Sequence, residues 1–110
     1  MEKKKLTFKE LINSEKPVLV DFAAEWCGPC KAMNPILRTV ATELGDQVSI
    51  VTVDVDKNPA IAQQLNISGV PTFILYRKGK MLWRQSGMQT ANQLKYVIGQ
   101  AVDGHLEKTA

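Results

Sequence analysis

The sequence is poor in the residues that staple small proteins or bind metals. It has two cysteines, Cys27 and Cys30, and one histidine, His105, in 110 residues. A disulfide-stabilised secreted scaffold carries several cysteines, spaced to close long loops. A structural zinc site needs about four ligands, and one chain with these residues does not supply them. Long hydrophobic runs are missing too: charges interrupt every apolar stretch well short of the roughly 20 residues that span a membrane. No basic stripe interleaves with aromatics, so the net charge of +3 is not the footprint of a nucleic-acid binder. Much of that excess sits in Lys3, Lys4 and Lys5, which read as a solvated tail. No apolar segment of signal-peptide type follows them, and the expectation is a cytoplasmic protein. Repeats, low-complexity segments and linkers are absent. What remains is 45% hydrophobic and 23% charged, an ordinary globular composition. Its length suits one domain with a real core, residues 1–110.

The apolar pattern divides the chain into short elements. Thr7 and Glu10 have the spacing of a capping box for a helix through Leu11 and Ile12. Pro17 to Ala23 is an apolar run of strand length, with apolar residues on both parities. It reads as a strand covered on both faces. A helix follows Cys27 as far as Leu44, with Ala32, Ile36, Val40 and Leu44 on one stripe, Pro35 as a kink and Gly45 as the stop. Val48 to Asp54 reads as a second buried strand. Asn58 and Pro59 predict the cap and first residue of a short helix that turns Ile61 and Leu65 inward. Thr72–Tyr76 and Lys80–Gln85 flank a Lys78-Gly79 turn, a hairpin. From Thr90, Leu94, Val97, Ile98 and Ala101 form the inner face of a last helix. The order αβαβαββα predicts an α/β fold. Its central mixed sheet of four to five strands has helices on both faces, with parallel pairing across the helices and an antiparallel hairpin edge.

The chemistry is concentrated in Cys27-Gly28-Pro29-Cys30. At a helix start, residues three apart share a face, which suits the narrow distance window of a disulfide. The same place offers unpaired N–H groups and the positive end of the helix dipole. Both favour thiolate, most strongly at Cys27, and the thiolate is the nucleophile. Cys30, one turn inside and expected to be less exposed, is then the resolving thiol. Pro29 lacks an N–H that would be unpaired there anyway. The alternative is two incidental core thiols. Asp21 is the second unusual residue. A carboxylate inside a strand buried on both faces has its pKa raised and can exchange a proton near neutrality. The alternative is a strand-end Asp that reaches solvent.

These residues carry a family resemblance. Trp26-Cys27-Gly28-Pro29-Cys30-Lys31 resembles the active-site sequence of the thioredoxin family. Val18–Phe22 before it, Pro35-Ile36-Leu37 after it, then Ser68–Thr72 and Lys78-Gly79 match in order. The resemblance covers roughly residues 17 to 100. It implies the thioredoxin fold and a cytoplasmic protein-disulfide reductase acting on disulfide-containing proteins. Such a protein has no bound cofactor beyond a redox-active Cys27–Cys30 pair, and an NADPH-dependent flavoprotein reductase recharges it. A monomer is expected. The resemblance places Asp21 beneath Cys30, to help deprotonate it. It implies a cis bond at Val70-Pro71, with the Val70–Thr72 backbone pairing an extended substrate segment. Trp26 would wall the site. Gly87 would leave room for a partner backbone, and Val55 would add an apolar rim. For Gly87 a plain turn role is nearly as good a reading, and for Val55 core packing is an equal alternative. Lys31 reads as solvated, Met33, Met81 and Met88 as packing and His105 as solvated. Trp83 fits either a surface patch or the core.

Three positions depart from the family pattern. Ala23 stands where a Trp is common, and Thr52 where a Lys often sits near the buried Asp. Without that cation Asp21 is expected to titrate higher. The stretch before Pro17 is also short. The usual first strand is then truncated or missing, which leaves a sheet edge exposed or covered by Lys3–Leu6. Other readings remain: a reductant dedicated to one pathway, an oxidant, a non-catalytic scaffold, or a metal shared by Cys27 and Cys30 across a dimer.

Overall fold

The computed structural model describes residues 6–106. The Lys3–Lys5 tail, and with it most of the segment suggested as a replacement first strand, lies outside them. Along the chain run α1 (Phe8–Ile12), β1 (Val18–Ala23), α2 (Gly28–Leu44), β2 (Ser49–Asp54), α3 (Pro59–Gln64), β3 (Thr72–Arg77), β4 (Lys80–Ser86) and α4 (Ala91–Val102), with a 3-10 turn at Gly45–Gln47. This is the predicted order. Among the described residues the sheet has four strands in the order β2-β1-β3-β4. β1 pairs parallel with β2 and antiparallel with β3, and β3 pairs antiparallel with β4.

Alternation along the central strands sorts the core into two layers. Leu19, Phe73 and Leu75 face Met33, Leu37 and Val40 of α2 and Leu94, Val97, Ile98 and Ala101 of α4. Val18, Val20, Phe22, Ile74 and Tyr76 face the other way, against Phe8, Ile12, Ile61 and Leu65 of the α1 and α3 side. Phe8 sits edge-on to Tyr76, ring centres 5.8 Å apart. Each fully buried side chain of this kind contributes about 1.5–3 kcal/mol. The capping box forms in full, Thr7 and Glu10 each accepting the other's backbone N–H. Lys78 and Gly79 both have positive φ, 54° and 81°, as a two-residue hairpin turn of right-handed twist requires.

Four expectations need correction. The inner stripe of α2 is Cys30, Met33, Leu37 and Val40, while Ala32 is exposed and Ile36 half-buried. The sheet and α4 present their contacts to that side of the helix, and Ile36 and Leu44 pack only at the margin of the same core. β2 is not buried on both faces: it is the sheet edge among the described residues and is mostly half-buried. Asn58 occupies the cap position of α3 but makes no side-chain capping bond. Its amide donates instead to the Asp54 carbonyl at 2.9 Å. Met33 is in the core, whereas Met81 and Met88 are 46% and 50% exposed. They follow a turn and precede a helix on the partly open β4 side, where less lies above them. Trp83 packs partly buried on the α2–α4 core, and His105 is exposed. α2 runs unbroken through Pro35, whose missing N–H leaves the Lys31 carbonyl without its helical partner.

Candidate active site

The site forms where β1 ends and α2 begins. Cys27 is the N-cap of α2, in extended conformation, and its Sγ accepts the Cys30 N–H at 3.1 Å. Pro29 lies in the first turn. Gly28 faces open space, with no atom near the place of a Cβ, so the turn between the sulfurs presents bare backbone outward. The two cysteines are joined as a disulfide, Cα atoms 5.3 Å apart. Both are 4% exposed. The expected difference in exposure is therefore absent in this oxidised state, in which Ala23, Ala24, Val55 and Val70 pack against the pair.

Beside the disulfide runs the loop into β3. The Val70-Pro71 bond is cis, and Cys27 Sγ lies 3.6 Å from the Val70 carbonyl oxygen. Gly87 holds this segment: its N–H donates to the Pro71 carbonyl at 2.8 Å. Its φ of +89° is one that side-chain-bearing residues rarely adopt. Space does not demand glycine there, since a Cβ would meet nothing. Thr72 is fully buried. Its hydroxyl donates to the Gly69 carbonyl at 2.6 Å and lies 3.1 Å from Ser86 Oγ, so its side chain braces the loop from within. Trp26, Val55 and Val70 line a shallow hollow of about 100 Å³ with Ile67, Ser68 and Gly69. Trp26 is 71% exposed and is held by its indole N–H donating to Asp56 at 2.8 Å.

Sequence reasoning missed Asp56. The signal for it is local: Asp54 Oδ1 accepts the N–H groups of Asp56 and Lys57, an Asx-type turn. Nothing local points across 30 residues to Trp26. Glu25, in an exposed ion pair with Lys57 at 3.2 Å, was missed for the same reason.

Asp21 has the same parity as Leu19 and so faces α2 and α4. It is 1% exposed, and its Oδ1 has no hydrogen-bond partner. Burial alone pushes its pKa up from 3.8 to about 6. Thr52 is its register partner on β2 and brings no charge. Asp21 and Cys30 line one cleft of about 200 Å³, with Ala23, Lys31, Asn34 and Thr52 among its walls. Ala23 and Thr52, the two departures noted in the sequence, thus both border the space beneath the second cysteine. Among the described residues no group of three or more His, Cys, Asp and Glu could hold a metal ion, and no helix is long and apolar enough to cross a membrane.

Comparison with known proteins agrees with this geometry. The thioredoxin family model matches residues 1–100. The chain is 47% identical over 98 residues to the chloroplastic thioredoxin Y of Oryza sativa, covering 88% of this chain and 58% of that relative. It is 46% identical over 95 residues to a thioredoxin-like protein of Synechocystis, covering 86% and 90%. The solved mitochondrial thioredoxin 3 of Saccharomyces cerevisiae, in its oxidised form, superposes with a TM-score of 0.76 at 33% identity, over 84% of this chain and 86% of that one. The chain belongs to the thioredoxin family.

Proposed function

We propose that the chain is a protein dithiol–disulfide oxidoreductase working in the reducing direction on disulfide-containing proteins. The observation that carries this reading is the placement of Cys27. It caps α2 with its sulfur on the Cys30 N–H, in disulfide register with Cys30. A capping N–H and the helix dipole both stabilise a thiolate there once the pair is reduced. Cys27 thiolate attacks a substrate disulfide, and one substrate sulfur leaves as thiolate. The cis-Pro71 loop receives the substrate backbone at Val70, beside Trp26, Val55 and Gly87. Asp21, buried and without a partner at Oδ1, takes the Cys30 proton. Cys30 then attacks the Cys27 sulfur and the second substrate thiolate departs. The chain ends as the disulfide seen here and needs two electrons to return.

An NADPH-dependent thioredoxin reductase is the donor in this reading, with no bound cofactor, and the working form is a monomer. We place the protein in the cytoplasm. The chloroplastic rice relative makes a plastid the competing location, which fractionation of the source cells decides. The mechanism is tested with Cys30→Ser and a disulfide-bonded protein substrate. A trapped mixed disulfide at Cys27 is expected, and none with Cys27→Ser. Trapping at neither position refutes the assignment.

A further inference from the structure

Two hydroxyl groups behind the cis-proline loop decide which way its backbone faces. Thr72, the first residue of β3, and Ser86, the last of β4, are register partners. Thr72 Oγ1 lies 2.6 Å from the Gly69 carbonyl oxygen and 3.1 Å from Ser86 Oγ. A carbonyl only accepts, and a hydroxyl has one proton to give. The Thr72 proton is spent on Gly69, so Ser86 donates to Thr72. The bonds therefore run one way, from the exposed Ser86 through the fully buried Thr72 to Gly69, and each polarises the next. Fixing the Gly69 carbonyl also fixes the Val70 N–H. The two belong to one planar peptide unit, which is trans, since the cis bond follows Val70. In a trans unit they point in opposite directions. With the carbonyl turned inward onto Thr72, the Val70 N–H is turned outward, and it has no hydrogen-bond partner among the described residues. Gly69 and Val70 line the hollow beside Trp26.

We propose that Ser86 and Thr72 are positioning residues for the reaction. Their hydroxyl chain holds the Gly69–Val70 peptide in the orientation that offers the Val70 N–H to a backbone carbonyl of the substrate. This rests on the reading of the cis-Pro71 loop as the place that receives substrate backbone. It goes further by giving a role to two side chains that act only through that backbone, and by drawing a specificity from them. A disulfide flanked by an extended peptide carries a carbonyl acceptor and gains from the chain of hydroxyls. A small disulfide without a carbonyl gains nothing from it.

The test compares two substrates of the full chain, a disulfide-bonded peptide and hydroxyethyl disulfide, which has no carbonyl. Thr72→Val keeps the side-chain shape and removes the hydroxyl, so the Gly69–Val70 peptide is free to turn. It is expected to lower kcat/KM for the peptide about fivefold or more beyond any loss on hydroxyethyl disulfide, with that loss in KM. Ser86→Ala leaves Thr72 on Gly69 and removes only the outer bond. It should raise KM for the peptide by about two- to threefold. Thr72→Ser, which keeps the hydroxyl, is expected to bring the peptide KM back to within about twofold of the parent. Ser86→Ala, at an exposed position, carries the test if Thr72→Val does not fold. Equal losses on the two substrates, a loss in kcat instead of KM, or no rescue by Thr72→Ser overturns the proposal. The Cys30→Ser trap separates it from the main reading. A peptide that is not trapped at Cys27 overturns both, whereas trapping together with equal losses on the two substrates overturns the positioning role alone.

Discussion

Replacing Asp21 by asparagine is expected to stabilise the protein by an amount that grows with pH. The carboxyl group is 1% exposed, its Oδ1 has no partner, and burial is the cause that lifts its pKa from 3.8 to about 6. A raised carboxyl pKa means that the fold disfavours the ionised form. Below about pH 3 the group is protonated in folded and unfolded chains alike, and its charge costs almost nothing. As pH rises the unfolded chain ionises first, and the folded state loses stability until its own group ionises near 6. At about 1.4 kcal/mol per pKa unit, the cost is about 1.6 kcal/mol at pH 5 and levels off near 3 kcal/mol above pH 7. Asparagine has almost the same shape and no charge. Denaturant unfolding of both oxidised proteins at pH 4, 5, 6 and 8 isolates the effect, because any packing difference is common to all four. The stability gap between variant and parent should widen by about 2–3 kcal/mol from pH 4 to pH 8. A gap that stays constant, or narrows, would show that Asp21 is solvated or paired in the folded protein, and the argument for it as a buried base would fail.

Other outcomes follow from neighbouring contacts. Thr52→Lys puts an ammonium group beside Asp21 in the β1–β2 register. It should move the Asp21 titration, read by carboxyl NMR, down toward the ordinary carboxylate range; an unmoved titration would refute burial without a cation as the cause. Met33→Ala removes a fully buried side chain between α2 and the sheet and should cost about 2–5 kcal/mol in denaturant unfolding. Trp26→Phe loses one exposed hydrogen bond to Asp56. Thermal unfolding should register a loss of about 1 kcal/mol or less, while KM for a protein disulfide substrate rises.

The elements were legible in the sequence wherever local chemistry decided them. The Thr7–Glu10 capping box, the Lys78-Gly79 turn and the inner face of α4 each depend on residues within a turn or two. The site was legible in part for the same reason, since Cys27 and Cys30 share one helix start. Asp21 could be singled out because a carboxylate in an apolar strand is conspicuous. What was not legible depends on distant partners. The inner stripe of α2 is set by what the sheet and α4 offer it, which moved it from Ala32 to Met33 and Leu37. The half-burial of β2 follows from its place at the sheet edge rather than from its β-branched composition. The Trp26–Asp56 bond joins two loops, and the cleft at Asp21 is lined by Ala23 and Thr52 from different strands.

The central claim is that the Cys27–Cys30 pair drives electrons toward substrate disulfides. Equilibrating the chain against defined thiol–disulfide buffers and quantifying oxidised and reduced forms gives the potential of the pair directly. The account predicts a value near about −270 mV, negative to the glutathione-linked couples. A value near about −120 to −180 mV, in the range of oxidants and isomerases, would contradict it.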